Sequence, residues 1–215
     1  MSGDQHFTTA DGCRIAYRID GPVDRPVLML SNSIATNLHM WDRSVAALGR
    51  SFRLLRYDTR GHGGSDAPAG PYSMDRLGRD VVELLDFLDI DRAHFLGLSL
   101  GGFIGQWLGV FAPNRIDRLI LSNTAPYLAA ELHFDDQIHA VLAASDMDAI
   151  ADGFMRNWFP ATMLAAPNEI VDEFSNMVLT TSPRGLAGCF AALRDVDLRR
   201  VIALIAAPTL VIGGE

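Results

Sequence analysis

Short apolar runs alternate with helix-length segments along most of the chain. Five runs are short and largely apolar, as expected for strands buried on both faces of a parallel sheet: residues 26–30, 52–57, 93–98, 116–122 and 208–212. Other segments have the length and pattern of helices: residues 40–48, 74–88 and 100–111. This alternation predicts an α/β fold built around a mostly parallel central sheet.

The start of the chain has a different pattern. Ala10-Asp11-Gly12 separates two extended runs, residues 5–9 and 13–19. Because Asp-Gly between extended runs is a turn signal, we expect an antiparallel hairpin before the first parallel strand.

Residues 126–203 interrupt the alternation, since they have helical character and no strand signal. Asp146, Asn168 and Ser182 are expected N-caps, and Pro183 suits a first helical position. Helices inserted between two parallel strands are expected to cover the carboxyl ends of the sheet, where ligands bind in such folds. We therefore expect a core at 1–125, a helical cap or lid at 126–203 and a return to the core at 204–215.

Gly97-Leu98-Ser99-Leu100-Gly101 fits the pattern Gly-x-Ser-x-Gly, which by itself is a weak signal. Here an apolar run precedes it and a helix-like run follows, which is the context of a nucleophile elbow. Glycines two positions before and after the serine allow strand and helix to approach closely. Ser99 is therefore the candidate nucleophile, and a purely structural turn is the alternative interpretation.

Two polar loops accompany this serine. The loop at 31–36 follows a predicted strand at the position that supplies a second oxyanion-hole amide, assigned here to Ser33, while the first amide is that of Leu100. Ordinary turn polarity is the alternative for this loop. The loop at 57–65 carries Asp, Arg and Gly residues and is predicted to be mainly a hydrogen-bonded scaffold.

Composition narrows the function classes. The 215 residues are 49% hydrophobic, enough for a sizeable core, and their net charge of −8 argues against nucleic acid or an acidic membrane surface as partner. Cys13 and Cys189 are expected to be free thiols, and neither a secretory signal nor a membrane span is visible. We expect a cytoplasmic protein with a small-molecule substrate, no metal and no cofactor; the sequence leaves the oligomeric state open.

Several stretches carry a resemblance to a known family: Ser31-Asn32-Ser33, Arg56 to Gly63, His94 to Gly102 and Ala192-Leu193-Arg194-Asp195. They resemble the α/β-hydrolases and, within that family, the 3-oxoadipate enol-lactonases. The resemblance implies an α/β-hydrolase fold and a cofactor-independent serine hydrolase that converts a small carboxylated enol-lactone to 3-oxoadipate in aromatic-compound catabolism. A general carboxylesterase or perhydrolase of the same fold and a non-catalytic ligand-binding relative are the alternatives.

A carboxylated substrate directs attention to arginine, which binds carboxylates in a bidentate manner. Arg156 and Arg194 are the candidates in or beside the cap, and Arg60 is a third candidate outside it. Trp158 and Phe159 are candidates for the pocket wall, with plain packing as the alternative.

The family pattern places the triad acid shortly after the strand at 208–212 and the histidine further on. Both are therefore expected beyond Glu215, together with a final strand and helix. Within the chain, His94 is too far along its strand, and His39, His133 and His139 have no orienting carboxylate at a recognisable spacing. We expect this sequence to be part of a longer protein; a site completed by another polypeptide and an inactive variant are the alternatives.

Overall fold

A computed structural model of the protein describes residues 4–128 and 131–214. Within these ranges seven strands form one sheet with the order β1-β2-β4-β3-β5-β6-β7. Their bounds are β1 (Gln5–Thr8), β2 (Arg14–Asp20), β3 (Val27–Ser31), β4 (Arg53–Tyr57), β5 (Ala93–Leu98), β6 (Ile116–Ser122) and β7 (Thr209–Ile212).

The sheet is mostly parallel with an antiparallel beginning. β1 pairs antiparallel with β2, and β2 pairs antiparallel with β4. The pairs β3–β4, β3–β5, β5–β6 and β6–β7 are all parallel. Gly12, at φ 86°, occupies the turn between β1 and β2, where its missing side chain removes the strain of a left-handed backbone. The predicted fold class and N-terminal hairpin are therefore confirmed.

Three helices connect the strands of the first half: α1 (Asp42–Leu48), α2 (Met74–Phe87) and α3 (Leu100–Phe111). The predicted helix at 40–48 begins as a 3-10 turn over Leu38–Trp41 and continues as α1. α2 and α3 pack so closely that a Cβ atom at Gly78 would lie 2.0 Å from the Trp107 ring. This contact packs α3 tightly against α2.

Five further helices lie between β6 and β7: α4 (Glu131–Ala143), α5 (Asp148–Trp158), α6 (Ala161–Leu164), α7 (Glu169–Thr180) and α8 (Pro183–Asp195). Asn168 and Ser182 cap α7 and α8 as predicted, but the N-cap position of α5 is Met147 rather than Asp146. Asp146 Oδ1 instead accepts from the Asp148 N–H at 3.1 Å, so its side chain still serves the first turn of α5. In the described part of the chain, no helix combines the length and apolar character needed to cross a membrane.

These five helices, together with the loops around them, form the helical segment (residues 126–203), which contacts the rest of the chain directly. A Cβ atom at Gly185 would lie 2.3 Å from the Gly61 backbone, so α8 and the loop after β4 touch through bare backbone. On another side, Arg43 of α1 pairs with Glu173 of α7 at 2.8 Å. The helical segment thus contacts the rest of the chain at two separated points, the loop after β4 and α1.

Candidate active site

Ser99 lies in the turn between β5 and α3 in a backbone conformation that L-residues rarely adopt. Its φ is 54° and its ψ is −112°. The N–H of Ser99 donates to the Ser122 carbonyl at 2.9 Å, and the Thr124 hydroxyl donates to the Ser99 carbonyl at 3.0 Å. Hydrogen bonds on both sides of the residue therefore hold this strained turn, as expected where the surrounding structure must maintain an unusual conformation.

The flanking glycines make this turn sterically feasible. A Cβ atom at Gly97 would lie 2.1 Å from the Gly101 carbonyl oxygen, and one at Gly101 would lie 2.3 Å from the Ser31 carbonyl oxygen. Both neighbours are backbone atoms, which cannot move aside as a flexible side chain can. The Gly-x-Ser-x-Gly pattern therefore records two close backbone approaches around Ser99.

Two sources of free N–H groups lie near this serine. Leu100 opens α3, where amides have no partner within the helix and the helix dipole favours negative charge. In the loop after β3, the Ala35 and Thr36 N–H groups donate to His62 and to the Ser33 carbonyl. Within residues 4–128 and 131–214, the N–H groups of Leu100, Ser33 and Ile34 have no acceptor. Ile34 is thus a second candidate donor in this loop beside the predicted Ser33.

The loop after β4 holds the loop after β3 in place. His62 Nε2 accepts from the Ala35 N–H at 2.9 Å, and Asp58 Oδ1 accepts from the Leu38 N–H at 2.6 Å. Asn32 Nδ2 donates to the Tyr57 carbonyl at 2.9 Å. Ala35 has a φ of 59°, so its unfavourable conformation coincides with the hydrogen bond to His62.

The surroundings of His62 fix its protonation state. The ring is 1% exposed, and Nδ1 lies 3.2 Å from the Arg60 carbonyl, which only accepts. Nδ1 therefore carries the proton, and Nε2 is free to accept from Ala35. Burial lowers the pKa of His62 to about 4. His62 is thus a neutral acceptor at neutral pH and is not available as a base for Ser99.

The pKa of Asp58 is shifted in the opposite direction to that of His62. Burial raises the pKa of this carboxyl to about 6, although the N–H groups of Gly64 and Leu38 counteract part of the effect. The Gly64 N–H donates to Asp58 Oδ2 at 2.8 Å. Asp58 therefore joins its own loop to the residues that follow the candidate oxyanion loop.

Arg60 lies in a buried ionic network away from Ser99. Its guanidinium contacts both carboxylate oxygens of Asp80 at 2.6 Å and Asp11 at 2.9 Å. The hydrogen bond from Arg60 is the largest influence on Asp11 and holds the pKa of that carboxyl well below its usual range. With both carboxylates engaged, Arg60 joins the hairpin loop, the loop after β4 and α2 in a structural role.

A cavity of about 410 Å³ opens beside Ser99 between the sheet and the helical segment. Its sheet side is formed by residues at the carboxyl ends of strands, by Ser99 and by the oxyanion loop and its continuation: Ser33, Thr36, Met40, Leu98, Ser99 and Asn123. Its other side is formed by α5, α7 and the residue after α5: Asn157, Trp158, Phe159 and Phe174. Four residues chosen from the sequence thus line one cavity: Ser99, Ser33, Trp158 and Phe159.

The predicted arginines lie elsewhere. Arg194 pairs with Asp135 at 2.6 Å and Asp195 at 2.7 Å and lines a different cavity, of about 440 Å³. Arg156 is exposed on α5 and is absent from the lining of the Ser99 cavity. Among the described residues, those that line this cavity include no charged side chain.

The described histidines are also placed away from Ser99. His39 pairs with Asp42 at 2.9 Å, so the expectation that it has no carboxylate partner is wrong, and His139 is exposed on α4. His94 is in the second position of β5, at the end of that strand opposite to Ser99. The side chain of His133 lies outside the described residues. Within the described ranges, the lining of the cavity contains no histidine.

Some lining residues were not identified from the sequence. Asn123 follows β6 with a φ of 43°, and its Oδ1 accepts from the Gly214 N–H at 2.8 Å. Its position directly after a parallel strand was an available signal, because the carboxyl ends of such strands converge at ligand sites. Thr36 belongs to the polar loop at 31–36 that the sequence indicated, whereas Met40 and Phe174 had no comparable signal. Metal ligation has no structural basis in the described part, where no three His, Cys, Asp or Glu residues are clustered suitably.

Comparison with known proteins identifies the family to which this fold belongs. The family model for the alpha/beta hydrolase fold matches residues 26–215, so the chain belongs to the α/β-hydrolase family. It is 38% identical to 3-oxoadipate enol-lactonase 2 of Acinetobacter baylyi, over 96% of this chain and 77% of that protein.

Two solved structures are similar in both fold and sequence. A hydrolase from Pseudomonas aeruginosa PA01 has a TM-score of 0.97 and 54% identity, over 98% of this chain and 80% of that one. The enol-lactonase from Burkholderia xenovorans LB400 has a TM-score of 0.94 and 37% identity, over 98% of this chain and 81% of that one. The predicted resemblance to this family and to enol-lactonases is confirmed.

Proposed function

We propose that this protein is a serine hydrolase that opens a small carboxylated enol-lactone, 3-oxoadipate enol-lactone, to give 3-oxoadipate. The observation that carries the proposal is the placement of Ser99, at φ 54° on a strand-to-helix turn, in one cavity with the loop after β3. The similarity to two enol-lactonases supports the choice of substrate class.

In the proposed reaction, Ser99 Oγ bonds to the lactone carbonyl carbon and the ring C–O bond breaks. The freed enol tautomerises to the ketone, and water then cleaves the acyl–Ser99 bond to release the dicarboxylate. The N–H groups of Leu100 and Ser33 are assigned to the oxyanion; each such donor contributes about 3 kcal/mol in comparable sites. Proton transfer is assigned to the triad acid and histidine, which the family pattern places after Glu215.

Recognition of the free carboxylate is assigned to neutral donors. The cavity offers the hydroxyl of Ser33, the amides of Asn123 and Asn157 and the indole N–H of Trp158, whereas the Thr36 hydroxyl already donates to the Ser33 carbonyl at 2.8 Å. Several neutral donors can hold a carboxylate, because hydrogen bonds to an ionised acceptor are charge-assisted and about twice as strong as those between neutral groups. Arg156 and Arg194 are therefore not assigned to this role.

The uncharged lining of the cavity favours one alternative, a carboxylesterase of the same fold. A neutral ester needs no charged partner, and its transfer from water to the cavity costs less than that of a carboxylate. A free carboxylate on the substrate should increase turnover by a lactonase and decrease turnover by an esterase.

The test compares kcat/KM of the full-length protein for the enol-lactone and for its methyl ester, which differ only in the carboxylate. The proposal expects a higher kcat/KM for the free acid and loss of both activities in Ser99→Ala. A preference for the methyl ester contradicts the lactonase assignment and supports the esterase. Activity that survives Ser99→Ala contradicts both.

A further inference from the structure

A second cavity, of about 390 Å³, opens on the surface of the helical segment beside the Ser99 cavity, and five of its nine lining residues are exposed. It is bounded by α4, α5 and α8, and its lining is largely apolar, with Val141, Ile150, Phe154 and Phe190 among its side chains. No step of the proposed reaction uses this space. Its size is comparable to that of the Ser99 cavity, so it is large enough for a substantial part of a ligand.

The two cavities share a wall. Asn157 lines both of them, and its neighbour Trp158 lines the Ser99 cavity. Phe154, one helical turn before Trp158, lines the second cavity, and the centres of these two rings are 4.7 Å apart. One turn of α5 thus separates the space beside the serine from the apolar space.

Aromatic rings form a continuous series from one cavity to the other. Phe190 lies parallel to Phe154 with ring centres 6.4 Å apart, and Trp158 meets Phe174 edge to face at 6.2 Å. Phe174 in turn meets Phe159 at 5.6 Å. Aromatic side chains therefore line both cavities on either side of Asn157, the residue that the two linings share.

We infer that the second cavity is a specificity subsite that takes an apolar acyl group, aryl or alkyl, of a substrate whose carbonyl lies at Ser99. This inference rests on the proposed function for the position of the carbonyl. It extends the substrate class beyond the small enol-lactone to enol esters with an acyl chain long enough to pass Asn157. The apolar lining favours binding of the acyl group, because apolar surface of both the ligand and the cavity is removed from water.

Gly153 offers a direct way to fill this subsite. It lines the second cavity, and a Cβ atom added there would meet nothing within 4 Å. Gly153→Leu therefore adds an apolar side chain at the lining from a Cβ atom that meets nothing, and replacement of a glycine within α5 favours the helix. Asp152→Leu is the matched control, since Asp152 is adjacent on α5, exposed and not part of the lining.

The binding experiment uses the full-length Ser99→Ala protein, so that no turnover occurs, with 4-phenylbutyrate and butyrate as ligands in calorimetry. We expect 4-phenylbutyrate to bind about tenfold more tightly than butyrate because its ring is buried. Gly153→Leu should abolish this preference and Asp152→Leu should retain it. Equal affinity for the two ligands, retention of the preference in Gly153→Leu or its loss in Asp152→Leu overturns the subsite.

A turnover experiment separates the subsite from the proposed function. Vinyl 4-phenylbutyrate and vinyl butyrate are offered to the protein with Ser99 intact, and the first is expected to have about tenfold higher kcat/KM. Gly153→Leu should remove this advantage without lowering kcat/KM for vinyl butyrate. If neither ester is hydrolysed while the binding preference persists, the serine chemistry is refuted and the subsite stands.

Discussion

Replacement of His62 by glutamine tests whether the loop after β4 holds the oxyanion loop through a neutral imidazole. Glutamine keeps an acceptor for the Ala35 N–H but does not titrate. Burial lowers the pKa of His62 from 6.5 to about 4. Between these two pH values His62 is therefore protonated in the unfolded chain and neutral in the folded protein. The wild-type protein should therefore lose stability as the pH falls from 6.5 towards 4, and His62→Gln should not share this loss.

The size of the effect follows from the displacement of the pKa. With values of 6.5 unfolded and about 4 folded, the advantage of wild type over His62→Gln should shrink by about 2 kcal/mol between pH 7 and pH 5. Asp58, whose pKa is raised to about 6, acts in the opposite direction. Because Asp58 is present in both proteins, its contribution cancels in the difference.

Urea unfolding of both full-length proteins at pH 7, 6 and 5 measures this difference. A constant difference across the three pH values would refute the neutral, buried acceptor. His62→Leu serves as a further comparison, because it removes the acceptor and leaves the Ala35 N–H unpaired. We expect it to lower the free energy of unfolding by about 1–3 kcal/mol at all pH values relative to His62→Gln.

Two further substitutions test the frame around the site. Gly97→Ala should lower the free energy of unfolding by about 2–4 kcal/mol, because its Cβ atom would lie 2.1 Å from the Gly101 carbonyl oxygen. Thermal unfolding measures this loss. The control is Gly153→Ala, whose Cβ atom meets nothing within 4 Å and which should be neutral or stabilising. Asp80→Asn should cost about 3–5 kcal/mol because it leaves the buried Arg60 charge with only Asp11. A loss below about 1 kcal/mol in urea unfolding would show that the pair is effectively solvated.

The order of strands and helices was largely readable from the sequence because local pattern and tertiary structure agree. β6 was expected at 116–122 and is Ile116–Ser122, and α3 was expected at 100–111 and is Leu100–Phe111. Each is a run whose burial follows directly from its own composition. The 3-10 turn over Leu38–Trp41 was missed, because the Asn37 side chain, which accepts from the His39 N–H, starts a tighter turn before the helix.

The sequence predicted residues of the candidate site only where a motif reflects a requirement of the local backbone. Gly97 and Gly101 reveal the strained serine turn between them because close approach demands glycine. Asn123 and Phe174 reach the same cavity from elements far apart in sequence. Their position depends on the packing of β6 and α7 rather than on any local pattern.

Side-chain chemistry alone also misdirected the search for a carboxylate partner. Arg194 matched the expected residue type, yet its charge is engaged by Asp135 and Asp195 at another cavity. Arginine is the preferred residue both for binding a ligand and for ion pairs within a protein, so its presence does not separate the two roles. Only the three-dimensional placement does so.

Labelling of the full-length protein with a fluorophosphonate tests the central claim, that Ser99 is an activated nucleophile. The reagent phosphonylates serines whose hydroxyl is deprotonated by a base, and peptide mass spectrometry locates the label. We expect one label per chain, on Ser99, with matching loss of enol-lactone hydrolysis and no label in Ser99→Ala. A folded protein that hydrolyses the lactone while Ser99 stays unlabelled, or is labelled without loss of activity, would contradict this claim.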